Sequence, residues 1–130
     1  MSRQASKYSE SLEDYLEAIY MLGGENIRTT DVANHMTCSK ASVNRAVNTL
    51  QEKGLVQKEP YGDISLTKAG VTQSKRVLKK HLLIKRFLME VLEVDEERAN
   101  VEACGIEHNI SEDTAKRLAG LLEKLEKEKS

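Results

Sequence analysis

The chain is short of the residues that build most alternatives to a helical fold. Proline occurs once, at Pro60, and aromatic residues make up 4% of the 130 positions, which argues against an all-β core. Cysteine occurs twice, at Cys38 and Cys104, far apart in the chain. Such a pair is no disulfide framework, and a reducing cytoplasm is the expected location. No apolar run approaches the ~18 residues needed to cross a bilayer, so no membrane partner is expected. The opening residues, MSRQASKYSESLEDY, hold no apolar signal-peptide core, which argues against export. Hydrophobic residues nevertheless reach 39% against 32% charged, too apolar for a disordered chain. The length fits one domain or two very small ones.

Net charge is the other quantity in short supply. The chain carries 20 Lys+Arg against 21 Asp+Glu, for a formal charge of −1, and that total argues at first against a nucleic-acid partner. Its distribution reverses the impression. Residues 1–25 hold two basic and five acidic groups, residues 26–80 ten basic and four acidic, and residues 81–130 eight basic and twelve acidic. A middle of +6 therefore sits between acidic flanks of −3 and −4, and a polyanion is the natural partner of such a middle.

The periodicities predict a mainly α chain. Leu12, Tyr15, Leu16, Ile19 and Tyr20 form one apolar stripe, with Ser11 and Asp14 in a capping arrangement and Gly23-Gly24 as the stop. A short helix is expected over Asp31–Met36, capped by Thr30. A longer one follows over Lys40–Lys53, with Ser39 as N-cap, Val43, Val47 and Leu50 inward and Gly54 as the stop. Leu55–Lys58 and Ile64–Leu66 alternate like strands across the turn Pro60-Tyr61-Gly62-Asp63. A long helix is expected from Thr67 through Val91, burying Val71, Val77, Leu78, Leu82, Phe87, Leu88 and Val91. Asp95 opens another to His108, and Ser111 the last, where Leu118, Leu121, Leu122 and Leu125 are spaced as core or as a dimer seam.

Helix, tight turn, helix and hairpin is the layout of a winged helix-turn-helix, whose second helix enters the major groove of double-stranded DNA. Ser39, Lys40, Ala41, Ser42, Asn44 and Arg45 occupy its opening turns. Asn44 and Arg45 suit adenine and guanine edges, and Ala41 suits a thymine methyl. Thr29 and Thr30 open the preceding helix, where phosphate contact is natural. Lys58 and Tyr61 place a charge and a ring on the wing. A protein-docking module of the same shape and a helical domain with a basic face are the plainer readings, and the +6 middle weighs against both.

The acidic flanks hold candidate metal ligands. Asp14 and Glu17 are i and i+3 on one helix face. Cys104, Glu107 and His108 are i, i+3 and i+4 on another, within an arc of ~100° for a regular helix. His81 lies on the long helix between them. Thiolate, carboxylate and imidazole together suit a divalent transition metal. Singly, each has a plainer role: a cap, a solvated charge, a buried small hydrophobe or a surface histidine. Cys38 reads as packing and His35 as surface.

The segments SLEDYLEAIYML, SKASVNRAVNTLQEKGLV, LTKAG and VEACGIEH resemble the diphtheria-toxin-repressor and manganese-transport-regulator family, over about residues 10–125. The resemblance implies a winged helix-turn-helix domain over residues 1–70 and a helical metal-binding and dimerisation domain over residues 71–130. It further implies a cytoplasmic homodimeric repressor of metal-ion uptake that binds a palindromic operator when loaded with Mn²⁺ or Fe²⁺, one or two ions per subunit. By motif position the ligands are Asp14, Glu17, His81, Cys104, Glu107 and His108. Ala41 and Arg45 fall on base-reading positions, with Ser39, Ser42 and Asn44 toward phosphates. Glu102 is acidic and close by, but at a different helical angle.

The departures from the family carry information. Iron-responsive chains usually have Met where Asp14 stands and a non-acidic residue at Glu17, yet share the Cys at 104. Manganese-responsive chains have the acidic pair but usually a Glu in place of Cys104. Lys85 and Asn100 stand where some relatives place an extra Glu and His, which argues against a second, ancillary metal site. Manganese is the expected effector and iron the alternative. A metal-independent winged-helix regulator is the rival of a different class. A di-metal carboxylate enzyme needs Glu-x-x-His pairs that this chain lacks, so no enzymatic activity is expected.

Overall fold

A computed structural model describes residues 12–60 and 62–129; Ser11 and Tyr61, two positions singled out above, lie outside the described residues. The described elements are α1 (Leu12–Met21), α2 (Thr29–Met36), α3 (Lys40–Glu52), β1 (Val56–Lys58), β2 (Ile64–Leu66), α4 (Lys68–Glu90), α5 (Glu96–Ile106), a 3₁₀ turn (Glu107–Asn109) and α6 (Glu112–Lys129). The chain divides into two compact units, with the break inside α4 after Arg76. The mainly helical class and the winged arrangement read from the sequence are what the chain adopts.

In the first unit, Tyr15, Leu16, Ala18 and Ile19 of α1 meet Val32 and Ala33 of α2 and Val43, Ala46, Val47 and Leu50 of α3 in one buried core, closed by Val56 and Ile64 of the hairpin. Burial of these side chains is the main source of its stability. Helix α2 begins at Thr29, one residue before the expected cap, and its N-cap is Arg28, without a side-chain cap bond. The cause is tertiary. Ile27 forms a bridge with Ile64, its N–H and C=O both bonded across at 2.8 and 2.7 Å. The chain therefore leaves Ile27 extended, and Thr29 and Thr30 fall in the first helical turn. Ser39 caps α3 as expected, its hydroxyl accepting from the Ser42 amide at 3.1 Å.

The hairpin pairs Val56 with Leu66, Gln57 with Ser65 and Lys58 with Ile64 in antiparallel register. The Leu-Thr-Lys-Ala-Gly step after it is a junction of close contacts. The Thr67 hydroxyl donates to the Gly54 carbonyl at 2.7 Å and accepts from the Gly70 amide at 3.0 Å, while the Thr67 amide donates to the Leu55 carbonyl. A Cβ on Gly70 would stand 2.0 Å from that same carbonyl oxygen. Only glycine lets the start of α4 approach the backbone this closely.

The second unit packs Ile84 and Leu88 of α4 on Ala99 and Ala103 of α5, with Phe87, Met89, Val94, Ile110 and Leu118 around them. Asp95 caps α5 by accepting from the Arg98 amide at 3.1 Å, and that hydrogen bond holds its carboxyl below the ordinary carboxylate range. Ser111 caps α6 by accepting from the Thr114 amide at 3.0 Å. Lys80 reaches across to the Ile110 carbonyl at 3.2 Å and to Glu112 at 3.1 Å. Of the residues expected to be buried on the long helix, Val71, Leu78 and Phe87 are half-buried, and two are exposed: Leu82 is 49% exposed and Val91 36%. The inward line of α4 here runs Val77, Ile84 and Leu88, which turns Leu82 outward. On α6, Leu122 is buried, Leu118 and Leu125 are half-buried and Leu121 is exposed.

Gly70→Ala is expected to destabilise the protein by about 1–3 kcal/mol, the range for forced overpacking, read as a lower denaturant midpoint. Gly120→Ala, also in a helix but with nothing within 4 Å of the added methyl, is expected to stabilise it by about 0.5–1 kcal/mol through helix propensity alone. Equal effects at the two sites would contradict the close approach at Gly70.

Candidate metal centre and DNA-reading helix

The expected helix to His108 stops sooner. Helix α5 ends at Ile106, and Glu107, His108 and Asn109 form a 3₁₀ turn. The Asn109 side-chain amide donates to the Gly105 carbonyl at 2.9 Å, satisfying an acceptor that the helix end leaves over. A 3₁₀ turn advances about 120° per residue rather than about 100°, so the angle counted from Cys104 along a regular helix does not hold beyond Ile106. The tighter turn accompanies a Glu107 side chain that is fully buried.

Around that carboxylate the second unit gathers polar groups. Glu107 Oε1 lies 2.6 Å from His81 Nδ1. Its other oxygen, Oε2, is buried and, among the described residues, has no hydrogen-bond partner; His108 Nε2 is 3.6 Å away. His81 Nε2 lies 2.8 Å from Asn100 Oδ1. Cys104 is a half-buried free thiol. One ligand atom each from His81, Cys104 and Glu107 lies within 4.8 Å of the others. A buried carboxylate with an unused oxygen is costly, on the order of several kcal/mol, unless a cation neutralises it. Nitrogen, sulfur and oxygen donors converging on it fit a divalent transition metal.

Of the six expected ligands the structure thus brings His81, Cys104 and Glu107 together, with His108 beside Glu107. Asp14 and Glu17 belong to the first unit, half-buried on α1 at i and i+3. Glu102 is exposed. Asn100 was not among the expected site residues, although its spacing of four from Cys104 on one helix would have put it on that face.

On the reader helix, Ser39, Lys40, Ala41 and Arg45 are exposed, while Ser42 and Asn44 are half-buried. A small network orders them. Arg45 donates to Ser42 Oγ at 3.3 Å and the Ser39 hydroxyl donates to Ser42 Oγ at 3.0 Å. Lys58 Nζ of β1 donates to Asn44 Oδ1 at 3.2 Å, which fastens the wing to α3. Thr29 is half-buried and Thr30 exposed in the first turn of α2.

A winged helix-turn-helix unit with a polar and basic reader helix, joined to a helical unit with a transition-metal donor set, defines a class of metal-responsive DNA-binding proteins. Residues 7–64 match the N-terminal DNA binding domain of iron dependent repressors, and residues 67–129 match their metal binding and dimerisation domain. The chain belongs to this family of metal-dependent transcriptional regulators, the one its motifs resemble. It is 41% identical over 119 residues to an uncharacterised HTH-type transcriptional regulator of Methanocaldococcus jannaschii, covering 89% of this chain and 95% of that one. It is 34% identical to the HTH-type transcriptional regulator MntR of Lysinibacillus sphaericus, covering 89% of this chain and 84% of that one. Among solved structures it is similar to the manganese regulator SloR, with a TM-score of 0.78, 33% identity and 87% of this chain covered. It spans about half the length of that solved chain, 54%. These relatives are regulators and not enzymes. No helix of the described residues is long and apolar enough to cross a membrane.

Glu107→Gln removes the buried charge and keeps the shape. Its melting temperature in chelator is expected to stay near or above that of the parent. The rise on adding Mn²⁺ is expected to vanish, where the parent gains about 2.7 kcal/mol at a hundredfold excess over Kd. An undiminished rise in a thermal-shift titration would exclude Glu107 as a ligand.

Proposed function

We propose that this chain is a cytoplasmic homodimeric repressor of metal-ion uptake that binds a palindromic operator in double-stranded DNA when loaded with Mn²⁺. The observation that carries the reading is the buried Glu107 carboxylate, with an unused oxygen, beside His81 and Cys104. Residues 1–70 are the proposed DNA-reading domain and residues 71–130 the metal-binding and dimerisation domain. The proposed ligands are Asp14, Glu17, His81, Cys104, Glu107 and His108, holding one or two ions per subunit. A bound divalent cation supplies two positive charges against the carboxylates and the thiolate.

The rest is done by the chain's own residues. As proposed ligands, Asp14 and Glu17 would restrain α1 and with it the core that it shares with α3. Without the cation's charge the acidic groups repel one another and favour a looser joint, so ligation selects a DNA-competent arrangement. On the reader helix, Ala41 and Arg45 are the proposed base contacts. Ser39, Lys40, Ser42, Asn44, Thr29, Thr30, Lys58 and Tyr61 are proposed to position the unit on phosphates. Leu82, Val101 and Leu121, all more than 40% exposed in the single chain, are apolar surface of the kind that association covers.

Hard carboxylates at Asp14, Glu17 and Glu107 support manganese, as does similarity to a protein described as a manganese regulator. One observation favours Fe²⁺ as a second reading: Cys104 adds a soft thiolate to the set.

Gel-shift titrations decide between these. Operator affinity is expected to rise about 5–150-fold, the usual range of allosteric coupling, on adding Mn²⁺ to chelated protein. A larger rise with anaerobic Fe²⁺ would select the second reading. Equal affinity with metal and with chelator would leave a metal-independent regulator. Arg45→Ala is expected to lose about 1–3 kcal/mol of specific affinity and to relax preference at one base position, with the Mn²⁺ thermal shift unchanged.

A further inference from the structure

Two polar pairs cross from α4 to α5 on one face of the second unit. Lys85 Nζ lies 3.3 Å from Glu96 Oε2, and His81 Nε2 lies 2.8 Å from Asn100 Oδ1. His81 and Lys85 are i and i+4 on α4, and Glu96 and Asn100 are i and i+4 on α5. Each helix therefore presents the pair from adjacent turns of one face. The second pair sits against the candidate metal centre. The opposite ring nitrogen of His81, Nδ1, faces Glu107 at 2.6 Å. The imidazole is thus held at both ends, by a carboxamide on the outside and a buried carboxylate on the inside.

We propose that Asn100 is a positioning residue for the metal centre: it fixes the ring of His81 so that Nδ1, and not Nε2, is the nitrogen that ligates. This rests on the reading of His81 as a ligand. The argument is one of geometry. A carboxamide oxygen can only accept, so at Nε2 it requires a donor N–H, and the nitrogen so used has no lone pair for a cation. Nδ1 faces the buried Glu107 Oε1 at 2.6 Å, and His81, Cys104 and Glu107 each offer a ligand atom within 4.8 Å of the others. A ring free to turn over would offer either nitrogen, and the ordering cost would fall on the binding step. Histidine ligands in general have the non-ligating nitrogen held this way, and loss of such a partner lowers metal affinity by about 10–100-fold. Lys85 and Glu96 steady the same two helices one turn away.

The test uses the full chain and three variants: Asn100→Ala, Asn100→Asp and Lys85→Ala. Asn100 is exposed and alanine is the better helix former, so α5 is expected to keep its fold. Mn²⁺ affinity by isothermal titration is expected to fall about 10–100-fold in Asn100→Ala. It is expected to be kept in Asn100→Asp, which retains an oxygen acceptor and cannot donate. Lys85→Ala is expected to change affinity less than threefold. The independent readout is ¹⁵N–¹H correlation of the histidine rings with Zn²⁺ as a diamagnetic probe. His81 is expected to show a protonated Nε2 and a metal-bound Nδ1 in the parent and in Asn100→Asp. A metal-bound Nε2 in the parent, or Asn100→Ala with parental affinity and ring spectrum, overturns the assignment. A parent that binds neither Mn²⁺ nor Zn²⁺ overturns it too, and that outcome alone also removes the metal-regulator reading.

Discussion

The second unit is organised around one constraint, a carboxylate kept out of water. Glu107 is fully buried among α4, α5 and the 3₁₀ turn, where an unneutralised charge opposes folding by on the order of several kcal/mol. The unit's buried apolar cluster is small: Ala99 and Ala103 of α5 with Ile84 and Leu88 of α4, bordered by half-buried Phe87, Met89, Val94, Ile110 and Leu118. Alanines give little apolar burial to offset a buried charge. A charge held in so modest a core makes this unit's stability answer to whatever neutralises the charge. Binding and folding free energy are linked for any such site.

The first unit is built on the opposite principle. Its core runs through three helices and the hairpin, among the described residues without a buried charge, and its tight points are backbone contacts. Ile27 is bridged to Ile64, Leu66 donates to the Gly24 carbonyl, and Gly70 presses on Leu55. Such contacts are insensitive to ions. They hold α3 and the wing in one arrangement, which the Lys58 to Asn44 bond carries to the surface.

Most of this was legible in the sequence where the governing interactions are local. The apolar stripe of α1, the Ser39, Asp95 and Ser111 caps and the strand alternation depend on neighbours within about one helical turn, and each was found where spacing put it. The failures have tertiary causes. Thr30 is a good cap by type, but the Ile27 bridge to Ile64 sets the chain direction and moves the helix start to Thr29. Leu82 and Val91 fit the periodicity of a long helix, yet periodicity does not say how wide the covered face is. The end of α5 was invisible because nothing in the Cys-Gly-Ile-Glu-His run marks a change from α to 3₁₀ geometry. The hydrogen bond from Lys58 to Asn44 joins residues 14 positions apart, and a single sequence gives no sign of it.

The donor set also bears on how selectivity for one metal arises. Affinity for first-row divalent ions rises from Mn²⁺ through Fe²⁺ toward Cu²⁺ at almost any nitrogen, oxygen or sulfur site. A thiolate such as Cys104 steepens that order. The proposed preference for Mn²⁺ therefore cannot come from the strength of the ligands. It has to come from how many there are and how firmly they are placed, since a high coordination number built from carboxylates suits a larger, harder ion. In the proposed site that firmness would come from residues beside the donors: Asn100 against His81, Lys80 bonded to the Ile110 carbonyl, and the 3₁₀ turn that carries Glu107. The identity of the ligands sets which ions can bind, and their supports set which arrangement the protein rewards.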